Sequence, residues 1–159
     1  MVVFETDVEL KGVTARQVYD FLLTCTDAEY QQWWKGTHLV YHTVKKFPDD
    51  LGNIVAVDEF VGKFRLKGQA IVARLVPYKE MVWQIKKTVK LPAWLTIRFQ
   101  DLKDGVKLIH IVSAGFQDTG KILDPLIRLY LTKEFERQLT EHAHEEFPKL
   151  AAMLSKQRS

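Results

Sequence analysis

The sequence predicts an α+β fold: a curved antiparallel sheet of about seven strands wrapped on a long C-terminal helix, with two short helices after the first strand. Three observations predict it. Apolar and polar residues alternate with period two at the start of the chain, turn residues recur at hairpin spacing from His38 to Phe116, and apolar residues then recur every three or four positions to the end. At 159 residues the chain is expected to form one domain spanning 1–159, large enough to bury about two-thirds of its unfolded surface.

Phe4, Thr6, Val8 and Leu10 alternate with Glu5, Asp7 and Glu9, the pattern of a strand with one buried face. After Gly12, Thr14 and Gln17 make a capping box, and Val13 is placed to staple against Val18. A helix therefore starts here, with Val18, Phe21, Leu22 and Cys25 on its inward face. Thr26 and Glu29 repeat the box, so a second short helix is expected through Tyr30 to Trp33 or Trp34.

Asp49-Asp50 with Gly52-Asn53, Gly62, Pro77, Pro92 and Asp104-Gly105 then punctuate six segments rich in Val, Ile, Phe, Trp and Thr. Strands are expected near 38–47, 53–61, 63–76, 80–90, 93–102 and 106–117. Asp104-Gly105 is the clearest hairpin turn. Short sequential connections imply a meander with a concave face. From Asp124-Pro125, which suit a helix cap and first position, the pattern is helical. Leu131, Phe135, Leu139, Ala143, Phe147, Leu150 and Leu154 form one apolar stripe, and Pro148 predicts a kink or break near Phe147.

The order of these elements resembles the START-like helix-grip superfamily (SRPBCC) over nearly the whole chain, and is most similar to its small bacterial polyketide cyclase/dehydrase-like branch. The residues from Val13 to Leu22 resemble the family's first helix, Tyr30-Gln31-Gln32-Trp33-Trp34 the aromatic end of its second, and Pro77 to Trp83 its proline turn into an apolar strand. The resemblance implies a cavity between sheet and last helix that takes a small hydrophobic molecule: a lipid, sterol, quinone, hormone, polyketide or aromatic compound. It carries no universal catalytic motif. A cofactor-independent cyclase, aromatase or dehydratase using the same cavity is the alternative it leaves open.

Composition narrows the function. Twenty-three Lys and Arg against twenty Asp and Glu give a charge of +3, spread along the chain, so no nucleic-acid partner is expected. Lys45-Lys46 and Lys86, Lys87 and Lys90 form two local basic groups that leave contact with an acidic membrane surface open. The start lacks a secretory signal pattern and no apolar run approaches the ~20 residues of a membrane span, so a cytoplasmic location is expected. Cys25 is the only cysteine, which rules out an intrachain disulfide and a Cys-based metal cage. Phosphate-cradling loops and the serine nucleophile elbow are missing, so no nucleotide cofactor and no serine hydrolysis are expected. The oligomeric state is not legible.

Five histidines raise the question of a metal. On one strand face His38 and His42 would stand roughly 13 Å apart at ~3.3 Å per residue, too far to share an ion. Two apart on a helix, His142 and His144 point to different faces. A zinc site would have to be assembled across elements, and none is expected from spacing alone. His110 shares the inward face of its strand with Val106, Leu108, Val112 and Ala114, which makes it either a cavity base or a neutral core histidine. Trp83 also faces inward; Trp34, Tyr41 and Tyr130 are placed as rim or wall groups; and His142 borders the apolar stripe with Gln138 one turn earlier. Trp34, Tyr41, Trp83, His110, Tyr130 and His142 are thus the candidate ligand-binding residues, with His110 the candidate catalytic group and Tyr130 or Arg65 its electrophilic partner. Glu141, Glu145 and Glu146 are expected on a solvated helix surface, and Asp58 and Glu59 on opposite faces of their strand.

Overall fold

The computed structural model describes residues 1–116, 122 and 124–157. Seven strands, β1 (Val2–Lys11), β2 (His38–Lys45), β3 (Ile54–Val61), β4 (Phe64–Val76), β5 (Glu80–Lys86), β6 (Lys90–Leu102) and β7 (Gly105–Ala114), make one antiparallel sheet. The helices are α1 (Ala15–Thr24), α2 (Asp27–Trp33), α3 (Asp124–Tyr130) and α4 (Lys133–Lys156). The expected last strand reached 117, a position outside the described residues; β7 ends at Ala114.

The sheet order is β1-β7-β6-β5-β4-β3-β2. The meander holds from β2 to β7, whose members are joined by short turns, but β1 pairs with β7 and not with β2. Two helices separate β1 from β2 in the chain, so the first strand is free to pair with the far edge. Both capping boxes form: Thr14 accepts from the Gln17 amide and Thr26 from the Glu29 amide, with each N3 side chain reaching back.

The helical pattern from Asp124 divides in two. The Asp124 carboxylate accepts from the Phe116 amide and pairs with the N-terminal ammonium instead of capping its own helix. Thr132 caps a fresh start by accepting from the Phe135 amide, and α4 then runs unbroken through Pro148. Packing on the sheet holds the helix together where its sequence predicted a break. Between sheet and helices lies a core that includes Val18, Leu22, Trp33, Met81, Trp83, Leu108, Phe147 and Leu150. A smaller cluster of Phe4, Val61, Phe135 and Leu139 packs near the start of α4.

Candidate functional site

The inward face of α4 carries a polar line beside its apolar stripe. Gln138, His142 and Glu146, spaced by four, are all buried. Glu146 is 8% exposed, so it leaves the solvated surface expected for it, whereas Glu141 and Glu145 remain exposed. Opposite it, the Thr26 cap starts α2 so that Tyr30 and Trp33 face inward, and a turn through Gly36 at φ +83° leads into β2. His38 opens β2 as the register partner of Glu59 on β3. A bulge between His38 and Val40 breaks the strand's alternation, so His38 is fully buried while His42 lies outside against Asp27. The two therefore do not share the strand face that strict alternation predicts.

His38, Glu59, His142 and Glu146 converge so that one ligand-type atom from each lies within 4.8 Å of the other three. His38 Nε2 stands 3.3 Å from Glu146 Oε1 and 3.7 Å from Glu59 Oε2; His142 Nε2 stands 3.5 Å from Glu146 Oε2 and 3.7 Å from Glu59 Oε2. Both Nε2 atoms are buried with no hydrogen-bond partner. Outer groups fix the arrangement. His38 donates from Nδ1 to the Tyr30 carbonyl at 3.2 Å, which turns its Nε2 toward the cluster. The Tyr30 hydroxyl donates to Glu59 Oε2 at 2.6 Å, and the Trp33 indole donates to the Glu146 carbonyl at 2.7 Å. The Tyr30 ring also stacks on the His38 imidazole at 3.9 Å.

Burial raises the Glu59 carboxyl, but His142 and the Tyr30 hydroxyl outweigh it and hold the group below its ordinary value. Burial likewise pushes His142 down, while Glu59 and Glu146 more than reverse it. Tyr30 is held well above the ordinary phenol value, first by burial and then by the Glu59 charge.

Beside this cluster a pocket of about 190 Å³ opens between α4 and the sheet. Trp34 and Phe60 supply aromatic walls; Gly62, Gln138, Glu141 and His142 also line it. Trp34 stacks on the His142 imidazole at 4.8 Å with an interplanar angle of 25°, and Lys149 Nζ sits 4.6 Å from the indole centroid. Gln138 is held by the turn between β3 and β4, where its Oε1 accepts from the Lys63 amide at 2.8 Å.

The other candidates take different places. Trp83 is buried in the main core. His110 is buried with its ring 5.8 Å from that of Phe147, desolvation holds its pKa below the ordinary imidazole value, and it is not among the residues lining the pocket. The Tyr41 ring, expected at the rim or wall, packs 5.1 Å from Tyr30, and its hydroxyl donates to the Leu22 carbonyl. Tyr130, expected at the rim or wall, lies on α3, separate from α4, and is 80% exposed. Arg65 extends outward to a two-bonded pair with Asp58. Sequence reasoning missed His38, Glu59 and Glu146 as one group with His142. The legible half was His142-x-x-x-Glu146, which spaces imidazole and carboxylate one helical turn apart.

The chain has a helix-grip fold, which it shares with solved structures of low sequence identity. TTHA0849 from Thermus thermophilus superposes with a TM-score of 0.66 at 9% identity, covering 99% of this chain and 100% of that one. The Aha1 dimer protein from Colwellia psychrerythraea gives 0.51 at 16% identity, over 94% and 99% of the two chains. Major latex-like protein 151 from Panax ginseng gives 0.57 at 8%, over 89% and 96%. No family model matches the sequence, and neither does any curated protein. Among the described residues, no helix is long and apolar enough to cross a membrane.

Proposed function

We propose that the protein binds one small, partly aromatic molecule in the pocket between the sheet and α4, with the ring against Trp34 and Phe60 and polar groups toward Gln138 and His142. The observation that carries this is the pocket itself: two aromatic walls and convergent polar side chains, at the sheet–helix seam. Its volume of about 190 Å³ is below the ~300–1,000 Å³ of sites for drug-sized ligands. A single ring fits this scale better than a sterol or a lipid chain. Phe147, Trp83, Met81 and Leu150 already occupy the space deeper under the helix. His110, the candidate base of the cyclase alternative, is packed against Phe147 and does not line the pocket, which favours binding over turnover through that residue.

The test is a titration with indole and with p-cresol, followed by NMR of protein carrying ¹⁵N-labelled tryptophan. The Trp34 indole signal should move saturably while the buried Trp33 and Trp83 signals hold still, and Trp34→Leu should abolish binding of both probes. The proposal fails if Trp34 does not respond, or if Trp34→Leu binds as well as the native protein.

A further inference from the structure

We propose that His38, Glu59, His142 and Glu146 form a binding site for one divalent transition cation of the Zn²⁺ class, which pins α4 to β2 and β3. The proposal does not depend on the ligand reading above.

Four observations carry it. First, two imidazole nitrogens and two carboxylates form a nitrogen–oxygen donor set suited to Zn²⁺, and their four atoms lie within 4.8 Å of one another. Secondly, the groups stand close enough to close on one ion: donors placed tetrahedrally at ~2.0–2.1 Å from Zn²⁺ are about 3.3–3.4 Å apart, and each imidazole Nε2 lies 3.3–3.7 Å from carboxylate oxygens of both Glu59 and Glu146, the latter presenting Oε1 to His38 and Oε2 to His142. Direct N–H···O bonds would be shorter, at about 2.7–3.2 Å.

Thirdly, both Nε2 atoms are buried without a partner, where interior polar atoms are almost always satisfied. His38 is fully buried and His142 is 6% exposed, so bulk solvent does not reach them. Fourthly, the ligands have the outer partners that metal sites use to fix tautomer and orientation: Tyr30 carbonyl for the His38 Nδ1–H, and Tyr30 hydroxyl for Glu59. The charge closes as well, since two carboxylates with two neutral imidazoles balance one dication. Four protein donors complete the tetrahedron, so the site is structural in kind. Its ligands come from two neighbouring strands and from α4.

The experiment uses the full chain without a histidine tag, stripped with EDTA and then freed of it. Zn²⁺ is titrated by calorimetry and Co²⁺ by visible absorption. The expected result is one equivalent bound, four-coordinate Co²⁺ bands, and a melting temperature that rises with Zn²⁺. Glu59→Gln keeps an acceptor for the Tyr30 hydroxyl and should weaken Zn²⁺ binding by more than about 100-fold, whereas Tyr30→Phe, which removes only an outer partner, should weaken it by about 10–100-fold. If Glu59→Gln does not fold, Tyr30→Phe carries the same comparison. Two results overturn the proposal. One is no saturable binding and a melting temperature indifferent to Zn²⁺, which would make the cluster an ion-pair network held by protons. The other is binding unchanged in both variants, which would place the cation elsewhere, as at the exposed His42–Asp27 pair.

Discussion

Phe147→Ala tests whether the space under α4 is filled, as the structure has it, or holds a preformed ligand cavity. Phe147 is 2% exposed, with its ring 6.1 Å from that of Trp33 and 5.8 Å from that of His110. Removing the ring takes away about 100 Å³ of packed volume, worth about 2.4 kcal/mol at about 24 cal/mol per Å³, on top of about 2 kcal/mol for returning the ring to water. Alanine's better helix propensity returns about 0.5 kcal/mol. The net loss is therefore about 4 kcal/mol, a large share of the ~5–15 kcal/mol that holds a domain of this size. Urea unfolding followed by tryptophan fluorescence measures it, with an unchanged denaturant slope as the check on two-state behaviour. Phe147→Leu, which refills most of the volume, should lose less than half as much. A Phe147→Ala loss below about 1.5 kcal/mol at constant slope would refute the reasoning. It would mean that the ring has few close neighbours and that the interior holds space for a larger ligand than the pocket by Trp34 admits.

Two further predictions concern the pocket's support and the single thiol. Gly62 has φ +56°, and a Cβ there would fall 2.0 Å from Gln138 Oε1. Gly62→Ala should displace Gln138, release the Lys63 amide and cost about 2 kcal/mol, the sum of about 1 for the left-handed backbone and about 1 for the hydrogen bond. The same urea experiment reads this, and weaker indole binding should accompany it. The Cys25 thiol is pushed up to about 12 by burial, with Glu29 and Asp27 adding to it. Native protein at pH 8 should therefore react with a disulfide reagent far more slowly than denatured protein. Because the folded pKa lies above the unfolded one, this group's contribution is fully present below about pH 8.5 and is lost as pH rises toward the folded value. Cys25→Ala should lack that part of the alkaline decline, as urea midpoints at pH 7 and pH 10 will show.

Strands and caps were legible because each rests on local chemistry. Thr14 with Gln17 and Thr26 with Glu29 make reciprocal bonds within one turn, and the β6–β7 hairpin forms one residue before the Asp104-Gly105 expected for it, through Lys103-Asp104 with Gly105 paired to Leu102. What failed depended on tertiary partners. The bulge after His38 shifts register by contact with β3, so strict alternation misplaced His42 relative to His38. Thr132 starts α4 without the reciprocal half of a capping box, since the third helical residue is Phe135, and the apolar stripe ran across that junction unmarked. Pro148 removes one amide from α4, yet Phe147, Leu150 and Leu154 bury enough surface to carry the helix past it.

The cluster was hidden for a different reason. A search for histidine pairs at chelating distance compares histidines only with one another, whereas here each imidazole faces carboxylates. Glu146 read as surface because charged residues are rarely buried unless paired, and its partners are His38, 108 positions upstream, and His142, one turn away. The physical cost makes the arrangement informative. A buried Glu146 and a half-buried Glu59 beside two buried imidazoles are costly to hold unless positive charge, from protons or a cation, compensates them. On α4 that costly line runs beside the apolar stripe and not within it. Phe147, Leu150 and Leu154 hold the helix on the sheet, so Gln138, His142 and Glu146 are not needed as core filling, and the proposed binding roles fall to them. Changes along the stripe should therefore move stability, and changes along the polar line should move what the protein binds.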